Sequence, residues 1–173
     1  MRKGAQYVAN SEWDKASVEA RNVLQMDAKN AGAYLIAAEV EDGKGSFRNA
    51  FGNYGKVLEL DPTSVPGRLG LARIYLLSGD MEKPQPLIDS VLASEPQNAR
   101  AQTLQVALFA RQGMQAEALA GADRVVKGGL PLGAESGLML AGFYFNVHAL
   151  EPALAVLDRS IAASPQDARL PQM

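Results

Sequence analysis

The chain has 173 residues, 47% of them apolar and 21% charged, with a net charge of -2. This balance suits a folded chain with a core and gives no electrostatic reason to expect nucleic acid or an anionic membrane as partner. There is no cysteine, which excludes disulfides, thiolate chemistry and cysteine-based metal sites, and no apolar run of the roughly 18 residues that span a bilayer.

Arg2 and Lys3 lead into Gly4-Ala5-Gln6 and not into a hydrophobic signal core, so no export signal is visible. The pattern predicts a helix over 2–9 and a second over 12–26, with Ser11 as its N-cap and Trp13 near its start, packed between neighbouring units. A turn follows at Asp27-Ala28-Lys29-Asn30. The next helix pair ends its first helix on the acidic group Glu39, Glu41 and Asp42, whose spacing is not that of a calcium loop. Gly52 and Gly55 weaken the second helix by up to about 1 kcal/mol each relative to alanine. Then comes the turn carrying Pro62, an apolar helix with small residues at Gly70 and Ala72, an aromatic at Tyr75, and a stop at Gly79-Asp80. Pro84 and Pro86 delay the partner helix to a start near Lys83–Gln85, because proline is tolerated only in a first turn. A further pair surrounds Gly113 and runs to Gly128-Gly129. In the last, Leu138 to Phe145 is apolar on every side of a helix, which marks either a buried helix or an interaction site. Pro152 falls in the first turn of the final helix.

The turn prolines measure the repeat. Pro62 and Pro96 stand 34 residues apart, as do Pro131 and Pro165, and the gap of 35 between Pro96 and Pro131 implies one inserted residue near Gly128-Gly129. Gly4 with Tyr7, Ala38, Ala72 with Tyr75, Val106 with Phe109, and Ala141 with Tyr144 occupy matching places in successive first helices. Ala16, Ala50, Ala118 and Ala153 match, or fall one place from matching, in the second. Small residues let paired helices approach closely, and each hairpin must stack on the next to cover its apolar face.

This pattern resembles the tetratricopeptide repeat over essentially the whole chain. The tryptophan expected early in each unit is replaced by Tyr34, Arg68, Gln102 and Gly137. The fold implied is all-α, a right-handed α-α superhelix of antiparallel helix pairs. The expected layout is one solenoid fragment over 1–173: a partial repeat at 1–30, repeats at 31–64, 65–98, 99–133 and 134–167, and a truncated next helix at 168–173. The absence of a polar capping helix suggests a piece of a longer array.

No catalytic constellation is evident, and neither a cofactor nor a metal is expected. His148, the single histidine, falls in a turn between helices, where a ligand site would need partners that the spacing does not supply. The Gly128-Gly129 pair lacks the lysine and hydroxyl residue of a phosphate loop. The resemblance implies instead a concave groove lined by the first helices. Its contact residues would be Leu35, Glu39, Leu69, Arg73, Leu76, Thr103, Ala107, Arg111, Leu138, Gly142 and Phe145. The lysine and asparagine positions with which chaperone-binding members hold a peptide carboxylate are occupied differently here. A mostly apolar groove suits a helix or an extended apolar peptide.

The sequence thus reads as a protein-interaction scaffold and not an enzyme. The alternatives are a recruitment array of a larger enzyme, or a self-association module working through open solenoid ends. The opening, from Lys3 to Ala9 and from Trp13 to Asp27, is similar to the start of bacterial export-associated tetratricopeptide lipoproteins, those linked to exopolysaccharide systems among them. That likeness implies a lipidated segment upstream and a periplasmic or outer-membrane-anchored place, with the cytoplasm as the alternative.

Overall fold

The structure is a computed structural model that describes residues 2–129 and 132–164. Pro131, Pro165 and the truncated helix expected at 168–173 lie outside the described residues. Among these residues the chain forms ten α-helices: α1 (Arg2–Ala9), α2 (Trp13–Met26), α3 (Ala31–Gly43), α4 (Phe47–Leu60), α5 (Val65–Ser78), α6 (Pro84–Ser94), α7 (Ala99–Arg111), α8 (Gln115–Lys127), α9 (Ala134–Asn146) and α10 (Leu150–Ala163). They divide between two compact units, Met1–Ile74 and Tyr75–Met173, with the boundary inside α5.

Local chemistry fixes where the helices begin and end. Each turn from a first to a second helix holds one residue in the left-handed region: Ser11, Gly45, Gly79, Gly113 and His148. The amide after each of these residues donates to a carbonyl five residues back (Tyr7, Glu41, Tyr75, Phe109 and Tyr144) at 2.8–3.0 Å. This is the Schellman arrangement, which favours glycine because a side chain at positive φ is strained. Ser11 therefore shapes the turn, and Glu12 stands in the N-cap place of α2 without a side-chain cap. His148 is the other departure from glycine, exposed at φ +59°. His148→Gly is expected to raise the urea midpoint, reflecting about 0.5–1 kcal/mol of relieved strain; an unchanged or lower midpoint would contradict it.

The opposite turns use side-chain caps. Asn30 accepts from the Ala33 amide, Asn98 from the Ala101 amide, and Ser64 from the Gly67 amide. Where tryptophan is missing, Arg68 and Gln102 donate to the carbonyls of the turn prolines Pro62 and Pro96, at 2.8 and 2.7 Å. α6 starts at Pro84, which needs no hydrogen-bond donor in a first turn. The turn after α8 carries Gly128 as C-cap and Gly129 at φ +68°, and α9 begins at Ala134.

In the first unit, Ala16, Ala20, Ile36 and Val40 form a core, with Trp13, Tyr7 and Val8 packed against it. The Trp13 ring occupies the space where a Cβ on Gly43 would stand, so that glycine admits the indole. In the second unit the core gathers Val106, Ala118, Ala122, Val125, Leu132, Leu140, Ala141, Tyr144, Ala153 and Val156. The matched small residues Ala38, Ala72 and Ala50 are fully buried. Gly52 and Gly55 differ from them, since a Cβ at either would meet nothing within 4 Å. Gly52→Ala and Gly55→Ala are each expected to stabilise by about 0.5–1 kcal/mol, read as a higher melting temperature. A fall in either variant would show that the open face of α4 is occupied.

Candidate functional site

In the first unit the predicted contact residues Leu35 and Glu39 lie half-buried on α3. Arg73, on α5, makes an ion pair with Asp42 at the end of α3, and its guanidinium sits 5.7 Å from the centre of the Phe47 ring. The Tyr54 hydroxyl donates to the other Asp42 oxygen at 3.4 Å. Asp42 thus gathers an arginine and a tyrosine from two other helices, and this ties α3, α4 and α5 together. The sequence showed Asp42 as one of an acidic group without indicating which member would bind Arg73.

Leu69 and Leu76 were expected to face outward, but they are 2% and 4% exposed. The cause is α5 itself, where Gly67, Leu69, Gly70, Leu71, Ala72, Ile74 and Leu76 are all buried. A helix apolar on nearly every side has no solvent face to assign, and its outward residues cannot be chosen by register alone.

In the second unit, α7 packs beside α9. Between them lies an open cleft of about 310 Å³. Ala107, Ala110, Leu138, Gly142 and Phe143 provide apolar walls, while Arg111 and Asn146 stand at one end. Of the residues suggested by the sequence, Thr103, Ala107, Arg111, Leu138 and Gly142 share this lining. Thr103 is only 1% exposed, and its hydroxyl donates to the Ala99 carbonyl at 2.8 Å, so it contributes floor and not a polar contact. Arg111 is exposed and donates through Nη1 to the Leu76 carbonyl at 2.7 Å, which caps the last turn of α5 with a cation. Phe145 is 65% exposed beyond the cleft lining. Met139, Phe143 and Asn146 line the cleft without having been singled out, and Asn146 takes the place at which the sequence suggested Phe145.

Two side-chain contacts tie α9 to its neighbours α7 and α8. Arg100 of α7 pairs with Glu135 of α9 at 3.2 Å. The Tyr144 hydroxyl donates to Asp123 at 2.8 Å. Burial, and next the bond to that carboxylate, push the Tyr144 hydroxyl well above the ordinary tyrosine range. These contacts position the walls and offer no acid, base or nucleophile to a bound molecule. Among the described residues no three of His, Cys, Asp and Glu stand where they could hold a metal ion, and no helix is long and apolar enough to cross a membrane.

Residues 43–108 match a family model described as "Tetratricopeptide repeat". No curated protein matches the chain. Among solved structures, the chain is similar to a thermophilic TPR protein of Thermus thermophilus, with 20% identity, a TM-score of 0.78, and coverage of 98% of this chain and 92% of that one. It is also similar to YrrB, described as a TPR protein with an unusual peptide-binding site, at 20% identity and a TM-score of 0.60, covering 96% and 85% of the two chains. MamA matches at 15% identity with a TM-score of 0.63 over 98% of each. At these identities the likeness is one of fold. The match over 43–108 identifies tetratricopeptide repeats, and the all-α helix-pair fold of such solenoids extends across the described chain.

Proposed function

We propose that this tetratricopeptide-repeat chain is a protein-interaction scaffold that takes a peptide or helix of a partner into the cleft between α7 and α9. Proteins of this fold serve as interaction scaffolds, and YrrB carries a peptide-binding site by its description. The observation that carries the reading is the cleft itself. It is walled by Leu138, Phe143, Ala107 and Ala110, floored by small residues, and open to solvent. Burying one large apolar side chain of a partner there contributes roughly 1.5–3 kcal/mol, which offsets part of the cost of association. Leu35, Glu39 and Arg73 are proposed contact residues on the first unit. No catalytic role is assigned to any of them.

The test compares the wild type with Leu138→Glu on an array of helical and extended apolar peptides. Leu138 is half-buried at the cleft wall, so a glutamate there can reach water and leave the helical signal intact. Loss of at least tenfold in affinity for peptides that the wild type binds, with unchanged circular dichroism, is the expected result. Peptides that bind both proteins equally would place the contact surface elsewhere.

A second reading rests on a different observation. Phe145, Val147, Leu150 and Leu154 are exposed apolar residues at the end of α9 and the start of α10. They would serve self-association, and sedimentation across a concentration series separates the two cases. A mass that rises with concentration and falls back in Leu150→Glu/Leu154→Glu supports this second reading, whereas a constant monomer excludes it.

A further inference from the structure

The charge of the cleft narrows what it accepts. Among the described residues that line it, Arg111 is the one charged side chain, and Asn146 is the polar group beside it at the corresponding place on α9. The remaining lining is apolar apart from Thr103, whose hydroxyl is already donated to Ala99. A chain with a net charge of -2 therefore presents a cleft with a local positive end.

Arg111 uses Nη1 on the Leu76 carbonyl, and a guanidinium carries five N–H donors in a planar fork. Arg111 and Asn146 both belong to the lining, each at the C-terminal end of its helix.

The helix rise sets the distance from this polar end to the apolar wall. Leu138 precedes Asn146, and Thr103 precedes Arg111, by the same eight residues, so the two zones lie about 12 Å apart along the helices. On a ligand helix laid along the cleft, that distance also corresponds to eight residues.

We propose, resting on the cleft as binding site, that its occupant is an amphipathic helix of a partner protein with apolar residues at i and i+4 and an acidic side chain at i+8. The apolar pair fills the space between Ala107, Leu138 and Phe143. The carboxylate meets Arg111 and Asn146. Charge complementarity thus fixes the direction in which the helix lies, and an ion pair at this exposed end adds discrimination more than strength.

The test uses two alanine-rich helical peptides, each with leucine at i and i+4 and with both ends blocked. One carries glutamate at i+8 and the other glutamine. Binding to the ¹⁵N-labelled chain is followed by the amide shifts of α7 and α9 at low salt. The glutamate peptide is expected to bind about threefold to fivefold tighter, with the advantage shrinking as salt rises. Arg111→Gln should erase the difference while leaving glutamine-peptide binding in place, and Leu138→Glu should weaken both. Equal affinity of the two peptides for the wild type overturns the acidic requirement and spares the cleft. An absence of α7 and α9 shifts with either peptide overturns the cleft reading as well. A glutamine peptide truncated at i+8 with a free carboxyl group, binding tighter than the glutamate peptide, would assign the site to a chain terminus and overturn the internal helix. Shifts that follow protein concentration without peptide would assign it to a second copy.

Discussion

Leu69→Glu is expected to destabilise the chain by about 3–5 kcal/mol, while Leu138→Glu leaves its helical signal and urea midpoint close to those of the wild type. The two leucines hold similar places in their repeats, so a uniform repeat would give them similar outcomes. Leu69 is 2% exposed, whereas Leu138 is half-buried at an open cleft. At Leu69 the substitution forfeits the roughly 1.5–3 kcal/mol of a buried leucine and places a carboxyl group among apolar neighbours. Burial favours the protonated acid, yet the neutral group still needs hydrogen-bond partners that the surrounding leucines, glycines and alanines do not provide. At Leu138 the carboxylate reaches water. Far-UV circular dichroism with urea titration reads both variants, and equal losses would show that the exposure difference has no energetic meaning.

The repeat was legible in the sequence because it rests on residues with backbone roles. Prolines in one set of turns, glycines in the other and small residues at the helix contacts each act locally, so their 34-residue spacing survives without knowledge of the tertiary structure. The delayed start of α6 at Pro84 followed from the missing proline amide alone. The left-handed roles of Ser11 and His148 were harder to see, because neither residue announces positive φ; only their alignment with Gly45, Gly79 and Gly113 does so. The cleft was legible in part. Thr103, Ala107, Arg111, Leu138 and Gly142 follow from register on α7 and α9, where charged and small residues distinguish one face from another. Register failed on α5, whose apolar residues surround the helix, and it could not say that Asp42 would hold both Arg73 and Tyr54. That choice depends on side-chain reach across three helices.

Tyr54→Ala is expected to cost about 3–5 kcal/mol, the range for removing a large buried aromatic side chain. Tyr54 is 1% exposed, and its hydroxyl reaches Asp42. Its ring lies so close to α5 that a Cβ built on Gly70 would stand 2.3 Å from two ring carbons. The glycine and the aromatic are therefore one packing device, and each sets the effect of changing the other. In the wild type, Gly70→Ala drives a methyl group into the ring of a residue that cannot move outward, at a cost of about 1–3 kcal/mol. With the ring gone in Tyr54→Ala, the same methyl enters the vacated space. The higher helix propensity of alanine then contributes up to about 1 kcal/mol, so Gly70→Ala should become neutral or stabilising in that background. A double-mutant cycle by urea denaturation measures this change of sign. Additive losses would mean that Gly70 owes its place to backbone conformation and not to the Tyr54 ring.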